Sequence, residues 1–304
     1  NKAVLEDVAI MTPFQTLVQV VVSGLSAGSI YALIALGIVL LFRTTKILNF
    51  AHGDIGVLGT FLAYTFFHSL DIPFWAAFLL SLAAAAVIGM LIYLLLVRPA
   101  KNETELGLLI LTLGLALTLG GMDAIIFGTG NKTVPPLVTE QIFRIGNAAF
   151  SLVALITALV GVVLMIGLWF LLTYTKLGIA MRAVAQRPDV AEAMGLPVRT
   201  VLMATWAAIA VLGTAAALMF APTSMLNPTM MFDPLSKGFI AAVIGGMNSL
   251  PGAVAGGYIL GVLEVLVGIY ISLEFKASFA FLAVILVLVF KPHGLFGRAD
   301  VKRV

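Results

Sequence analysis

Cysteine is absent from this 304-residue sequence, which excludes disulfide bonds, thiolate metal sites and cysteine nucleophiles. Charge is scarce as well. Asp, Glu, Lys and Arg make up 10% of the residues, against about a quarter in an average soluble protein. No Walker-type phosphate loop is present, so any ATP hydrolysis must come from another chain. We therefore expect no enzyme activity, no bound cofactor and no metal site.

What remains is apolar: 62% of the residues are hydrophobic, and they form long runs with few charges. Runs of about 20 apolar residues predict transmembrane helices. We expect an all-α polytopic membrane protein, with about eight to nine spans in one domain over residues 1–304. The expected spans are Phe14–Phe42, the apolar sequence up to Phe67, Phe74–Val97, Leu106–Phe127, Phe150–Thr173, Val201–Phe220, Ala253–Ile271 and Ala277–Phe290, with a half-length segment at Lys237–Gly246.

Several local features refine this prediction. Gly24 and Gly28 form a small-xxx-small pair, which favours close helix packing in lipid. Asp123 lies near the far end of the fourth span, and we expect it at the membrane interface. Gly128–Asn147 is expected to be a polar loop. Ala221–Ser236 contains three prolines and is expected to be an irregular external loop.

The distribution of basic residues predicts the orientation. Most of the 17 lysines and arginines fall in the segments around Arg43, Arg98, Lys176–Arg199 and the C-terminal tail from Lys291. Because cytoplasmic loops are enriched in Lys and Arg, this side is predicted to be cytoplasmic. The N-terminus is then outside and the C-terminus inside, provided that the half-length segment crosses. The opposite side holds Lys2, Lys132, Arg144, Lys237 and Lys276.

A polar break follows the first span, in the string ILNFAHGDIGVLG. Asn49, His52 and Asp54 lie close together there, between two apolar segments. One histidine and one carboxylate are too few ligands for a metal or catalytic site. Two interpretations stay open: the break lines a translocation path, or it is a capped cytoplasmic turn with Asp54 opening the next helix.

A second break, MNSLPG, interrupts the apolar sequence after the half-length segment. Short hydrophobic segments interrupted by Gly and Pro are typical of discontinuous helices near a substrate path. Asn248 and Ser249 are therefore candidates for that path, and the string resembles the first break weakly, as two repeats would. Glu264 lies deep in the following span, and a charge there is costly unless it faces a cavity or a partner. A gating role and a paired structural role both fit.

The longest polar interval, Lys176–Arg199, contains a short predicted helix. Pro188 suits the first helical position, and Asp189 suits the first turn, where the helix dipole favours a negative charge. Gly195 can adopt the left-handed conformation that ends a helix, and Pro197 prevents continuation. Such a capped helix in a basic loop is a docking point for a cytoplasmic partner, or otherwise a plain connecting loop.

Four strings together identify a family resemblance: GLSAGSIYALIALGIVLLFRTTKILNFAHGDI, KLGIAMRAVAQRPDVAEAMGLPV, AVIGGMNSLPGAVAGGYILGVLE and FKPHGLFGR. In this order and spacing they resemble the LivH-type permease subunit of branched-chain amino acid ABC importers, over nearly the whole chain. The resemblance implies an ABC importer permease fold in a bacterial or archaeal cell (inner) membrane. It also implies a partner permease of LivM type or a homodimer, two cytoplasmic ATPases that bind the ATP, and an extracytoplasmic substrate-binding protein.

The resemblance also implies roles for residues. The importer loop motif matches Ala191, Glu192, Ala193 and Gly195, which makes Lys176–Arg199 the loop that couples to an ATPase. The coupling residues are predicted to be Arg187, Pro188, Asp189, Ala191, Glu192, Ala193 and Gly195. The path residues are predicted to be Asn49, His52, Asp54, Asn248, Ser249 and Glu264.

Three alternatives stand beside this function. Similar permeases serve importers of urea and short-chain amides, so the substrate does not follow from the resemblance. A secondary carrier could couple transport to protons through Glu264 or Asp54, but it would have no need of a docking helix. An intramembrane enzyme would need a second histidine or a nucleophile near His52, and the sequence supplies neither. Nucleic acid is not an expected partner, because the basic residues lie between spans.

Overall fold

A computed structural model of the chain describes residues 13–100, 104–136, 138, 140–145 and 148–297. The predicted placements of Lys2, Lys101 and the tail residues Arg298, Lys302 and Arg303 lie outside this part. The helices are α1 (Pro13–Thr45), α2 (His52–His68), α3 (Phe74–Ile92, followed by a π-helical turn Tyr93–Val97), α4 (Glu105–Phe127), α5 (Leu152–Tyr174), α6 (Lys176–Gln186), α7 (Pro188–Ala193), α8 (Val198–Ser224), α9 (Phe232–Gly245), α10 (Leu250–Tyr270) and α11 (Phe275–Phe290). One antiparallel hairpin, β1 (Ile142–Ile145) with β2 (Ala148–Ser151), precedes α5.

Helix α1 lies at the centre of the bundle, and α10 packs along it at backbone contact. A Cβ atom added to Gly261 would lie 2.5 Å from the backbone nitrogen of Gly28, and one added to Gly257 would lie 2.5 Å from that of Ala32. Gly24 in turn lies against the backbone of Val262. Small residues permit this close approach. In lipid, helices gain little from the hydrophobic effect when they associate, and dense van der Waals packing holds them together instead. The predicted packing role of Gly24 and Gly28 is confirmed.

Helix α8 is the second enclosed helix, and it packs on α2 and α3 in the same way. A Cβ at Gly56 of α2 would lie 2.6 Å from the carbonyl oxygen of Gly213. A Cβ at Gly89 of α3 would meet the carbonyl oxygen of Trp206. Glycine therefore sets the spacing of the inner helices on both sides of the bundle.

Six helices are long and apolar enough to cross a membrane, among the residues described. They are α1, α3 with its π-helical turn, α4, α5, α8 and α10. Helices α2, α9 and α11 have 17, 14 and 16 residues and fall short of that length. The chain is thus a helical, multi-pass membrane protein, and the count of eight to nine spans stays a prediction.

The loop predicted at Ala221–Ser236 is mostly helical, so that prediction was wrong. Pro222 lies in the last turn of α8. Pro234 lies in the first turn of α9, where backbone N–H groups have no helical acceptor and a missing one costs nothing. Irregular backbone is confined to residues 225–231. The predicted polar loop Gly128–Asn147 likewise gives way at its end to the β1–β2 hairpin, which includes Phe150.

The break between α9 and α10 is covered by the C-terminal segment. The N–H of Leu295 donates to the carbonyl of Ile244 at 2.7 Å, and that of Phe296 donates to Gly245 at 3.1 Å. A helix that ends inside a membrane protein leaves carbonyl groups without partners, and these two bonds supply them. The predicted discontinuous element is therefore present at this position, with Gly246 at a φ of 107°.

The close approach of α1 and α10 predicts a sharp response to side-chain size. Gly261→Leu would place a branched side chain against the backbone of Gly28, and we expect a loss of at least about 2 kcal/mol of stability. The readout is the thermal unfolding midpoint of detergent-purified protein. Gly114→Leu is the control, because nothing lies near that glycine of α4. Equal midpoints for the two variants would contradict this packing account.

Candidate functional site

A cavity of about 700 Å³ lies between the start of α2, the second half of α4 and the start of α9. Its walls are mainly apolar, and its polar groups are few: the Asp54 carboxylate and side chains of the loops that follow α4 and α8. Its lining includes Phe50, Gly53, Leu113, Leu117, Gly120, Asn131, Asn227, Thr229, Met231 and Leu235. An apolar pocket with a small number of placed polar groups is the usual form of a small-molecule site.

The segment before α2 places Asp54 at this cavity. The hydroxyl of Thr112, on α4, donates to the carbonyl of Leu48 at 3.1 Å and accepts from the N–H of Phe50 at 3.5 Å. The N–H of Ala51 donates to the Asn49 side-chain oxygen at 3.0 Å, which turns the chain into α2. Asp54 then falls in the first turn of α2, where the helix dipole favours its charge.

Two loops close one end of the cavity, and they are joined to each other. The backbones of Lys132 and Leu226 exchange hydrogen bonds of 2.9 and 2.8 Å in an isolated β-bridge. The side-chain amide of Asn227 donates to that of Asn131 at 3.3 Å. Widening this end of the cavity would therefore require the Lys132–Leu226 bridge to break or to move as a unit.

His52 does not reach the cavity. Its ring is 1% exposed and lies between Gly37 of α1 and Gly213 of α8, and neither ring nitrogen has a hydrogen-bond partner among the described residues. A Cβ at Gly37 would lie 2.5 Å from the ring carbon Cε1. The ring therefore fills a gap between two helices. No group of three or more His, Asp or Glu side chains that could hold a metal ion occurs in the part of the chain that the structure describes.

The second break contributes to a different cavity. Asn248 lies with Lys46, Met247 and His293 around a space of about 630 Å³ between the end of α1, the α9–α10 break and the C-terminal segment. Ser249 caps α10 by accepting the N–H of Gly252 at 3.0 Å. The structure thus does not bring Asn248 and Ser249 to the cavity that Asp54 lines.

Glu264 is held in a buried ionic cluster. Its Oε1 lies 2.7 Å from Nζ of Lys237, and its Oε2 accepts the Tyr31 hydroxyl at 2.7 Å. Lys237 also contacts Asp233 at 2.8 Å and lies over the Tyr31 ring. The cluster joins α9 to α10 and to α1, and it satisfies both Glu264 oxygens. Lys237, assigned to the external side by its sequence position, is itself buried in this cluster.

Removing one member of this cluster leaves an uncompensated buried charge. We expect Lys237→Met to destabilise the protein by about 3–5 kcal/mol. Adding Glu264→Gln should recover a large part of that loss, because the double variant buries no unpaired charge. The measurement is a double-mutant cycle on thermal unfolding in detergent. Additive effects of the two substitutions would show that the pair is not coupled.

Asp123 departs from its prediction. It was expected at the interface, but it is fully buried and both carboxylate oxygens lack a hydrogen-bond partner among the described residues. The position of Asp123 near the end of α4 did not indicate its burial, because that burial depends on how α4 packs against α2. The spacing of the buried α4 residues Thr112, Leu115, Leu119 and Asp123 is the signal that could have indicated it.

The loop Lys176–Arg199 holds two helices, of which the sequence predicted the second. The first, α6, packs its buried Met181 and Val184 against neighbouring helices, and Gly178 lies in contact with the backbone of Leu172 on α5. The second, α7, has Pro188 in its first turn and Ala191 as its buried residue. Gly195 follows with a φ of 81°, so the predicted left-handed stop is confirmed.

The outer surface of α7 is exposed and mixed in character. Val190 and Met194, one turn apart, are 45% and 79% exposed. Arg187 and Asp189 are also exposed and form an ion pair of 3.0 Å. The hydrogen bond from Arg187 lowers the pKa of the Asp189 carboxyl and raises that of the guanidinium, so both stay charged at neutral pH. The exposed Glu192 and Ala193 complete this surface.

Comparisons with known proteins agree with this architecture. The family model described as "Branched-chain amino acid transport system / permease component" matches residues 20–290. The LivH permease protein of the high-affinity branched-chain amino acid transport system of Salmonella typhimurium is 30% identical over 306 residues, covering 96% of this chain and 99% of that protein. The BraD permease protein of the corresponding Pseudomonas aeruginosa system is 30% identical over 300 residues, covering 94% and 97%.

A more distant relative is archaeal. The probable LivH permease protein of Methanocaldococcus jannaschii is 28% identical over 285 residues, covering 89% of both chains. No solved structure matches significantly. The family model and the full-length relatives agree, and the chain belongs to the family of branched-chain amino acid transport permease components, which are transport proteins and not enzymes.

Proposed function

We propose that this chain is a permease subunit of an ATP-driven importer for branched-chain or related amino acids. The observation that carries the proposal is the α6–α7 unit between two spans: an exposed helix that ends at Gly195 and is joined through Arg187 to the packed helix α6. A permease with no nucleotide site of its own needs such a contact to receive work from ATPases. The residues that would form it are Arg187, Pro188, Asp189, Ala191, Glu192, Ala193 and Gly195.

The packing of α6 gives this contact a route into the membrane. Helix α6 contacts α1, α5 and α8, and its side chains Met181 and Val184 are buried there. A displacement of α7 by an ATPase would therefore move the two helices, α1 and α8, that hold α2, α9 and α10. Rocking of these helices against one another would open and close the cavity beside Asp54.

The cavity supports an aliphatic amino acid as the substrate. Its side walls, including Leu113, Leu117 and Leu235, suit a branched hydrocarbon, while Asp54 and the Asn131–Asn227 end offer partners for the charged groups. Urea and short-chain amides have little apolar surface to place against such walls. Asn248 would line a later stretch of the path, whereas Asn49, His52, Ser249 and Glu264 would shape it without contacting substrate.

The assembly around this chain follows from the same proposal. A second permease, of LivM type or another copy, would complete the path, with two ATPases binding ATP on the cytoplasmic side and a substrate-binding protein outside. The enrichment of basic residues in these loops favours a cytoplasmic α7 and C-terminus and an external N-terminus, which requires nine crossings with α2, α9 and α11 counted. The single domain lies in the cell membrane of a bacterium or archaeon.

A proton-coupled carrier is less compatible with the geometry. Of the two acids predicted as candidates for coupling, Glu264 has both oxygens engaged by Lys237 and Tyr31, which leaves Asp54 alone. A carrier would also leave the exposed surface of α7 without a role.

The test is uptake of a branched-chain amino acid by proteoliposomes that contain the full importer. We expect uptake to require ATP, and Glu192→Arg and Gly195→Pro to reduce it at least tenfold. The first substitution reverses the charge on the contact surface, and the second cannot adopt the positive φ that ends α7. Gly167→Ala is the control, because that glycine of α5 is helical and has nothing near it.

The result that would contradict the proposal is uptake driven by an imposed proton gradient with the ATPases absent. Normal ATP-driven uptake by both α7 variants would contradict the coupling role alone.

A further inference from the structure

Asp123 is a buried acid without an evident structural role. It is 0% exposed, and neither carboxylate oxygen accepts a hydrogen bond from any described residue. The three ion pairs in the described part of the chain involve neither Asp123 nor Asp54. Burying a charge without a partner is costly, so an acid in this setting calls for a ligand or another function.

The position of Asp123 brings it to Asp54. On α4, the buried residues Thr112, Leu115, Leu119 and Asp123 recur every three or four positions, so they share the face that packs on the segment before α2 and on α2 itself. Oδ1 of Asp54 lies 3.7 Å from where a Cβ would stand at Gly120, one turn before Asp123. Asp123 is three residues after Gly120 and so lies on the side of α4 that faces Asp54.

The absence of a side chain at Gly120 and Gly121 keeps this region open. Both glycines line the cavity. A Cβ atom added to Gly121 would meet nothing within 4 Å, and one added to Gly120 would meet Oδ1 of Asp54 at 3.7 Å. This glycine wall leaves room for a charged group to approach Asp54 from the cavity, while Asp123 lies buried on the same side of α4. The rest of the wall, with Leu117 and Leu235, is hydrocarbon.

These features fit an organic cation better than a metal ion. Two carboxylates provide too few ligands for a protein-bound divalent metal, and the described residues hold no cluster of three potential ligands. A primary ammonium group, by contrast, donates three hydrogen bonds, and a pair of carboxylates can accept them. The hydrocarbon attached to that ammonium would lie against the apolar wall.

We propose that Asp54 and Asp123 together bind the ammonium group of the transported amino acid and so select amino acids over neutral amides. This inference rests on the proposed function. Asp54 meets the substrate at the cavity wall, and Asp123, behind it, supplies the second negative charge. An uncharged amide cannot compensate the half-buried carboxylate of Asp54 and the buried one of Asp123, and it is therefore disfavoured in this site.

The test uses the full importer in proteoliposomes with saturating leucine-loaded binding protein, and it reads leucine uptake and ATPase stimulation separately. Asp123→Asn and Asp54→Asn should each lower uptake at least about tenfold, which is the effect of losing one charge-assisted contact. ATPase stimulation by the loaded binding protein should stay within twofold of the parent, because α7 is untouched. Asp123→Glu, which keeps the charge, should recover part of the uptake.

Asp71→Asn is the matched control, since Asp71 is exposed between α2 and α3 and asparagine tolerates its φ of 52°. Parental uptake in both carboxylate variants would overturn the proposal. So would joint loss of uptake and ATPase stimulation in both, because the acids would then be structural, and so would uptake that depends on a sodium gradient. A parent importer without ATP-driven uptake would instead refute the proposed function.

Discussion

Backbone contact between α1 and α10 is the constraint on which the rest of the bundle depends. Gly257 and Gly261 of α10 bring its backbone against Gly28 and Ala32 of α1, closer than any side chain would allow. This contact fixes α1 at the centre, and α8 then packs on its other side and holds α2 and α3 through Gly56 and Gly89. In lipid, where apolar side chains gain little by leaving their surroundings, such dense packing supplies much of the cohesion.

The buried acids divide into two kinds. Glu264 has Lys237 and Tyr31 on its oxygens, and it ties the short helix α9 to α10 and α1. Asp123 has no such partner in the described structure, and Asp54 faces a cavity. An unpaired charge is costly in a low-dielectric interior. Glu264 is paired within the fold, so its burial needs no ligand. For the second kind we propose a ligand, the ammonium group of the substrate.

The sequence predicted those parts of the molecule that local chemistry controls. Long apolar runs, the Pro188 start and Gly195 end of α7, and the break after Gly245 were all found where the patterns indicated. The structure differed where depth and tertiary packing decide: the burial of Asp123, the helical positions of Pro222 and Pro234, the β1–β2 hairpin, and the pairing of Lys237 with Glu264. The predicted path residues were identified by polarity, and polarity alone could not tell that Asp54 lines a cavity whereas His52 fills a gap between Gly37 and Gly213.

Chemical labelling tests most directly the claim that α7 contacts the ATPases. The sequence contains no cysteine, so an introduced thiol is the only one in this chain that can react. Met194→Cys places one thiol on the exposed surface of α7, and Glu274→Cys places one between α10 and α11, at the opposite predicted side of the membrane. In detergent-solubilised protein, where both faces are accessible, we expect the ATPase subunits to slow maleimide labelling of position 194 at least tenfold and to leave position 274 unchanged. Labelling of position 194 that is equally fast with and without the ATPases would contradict the account.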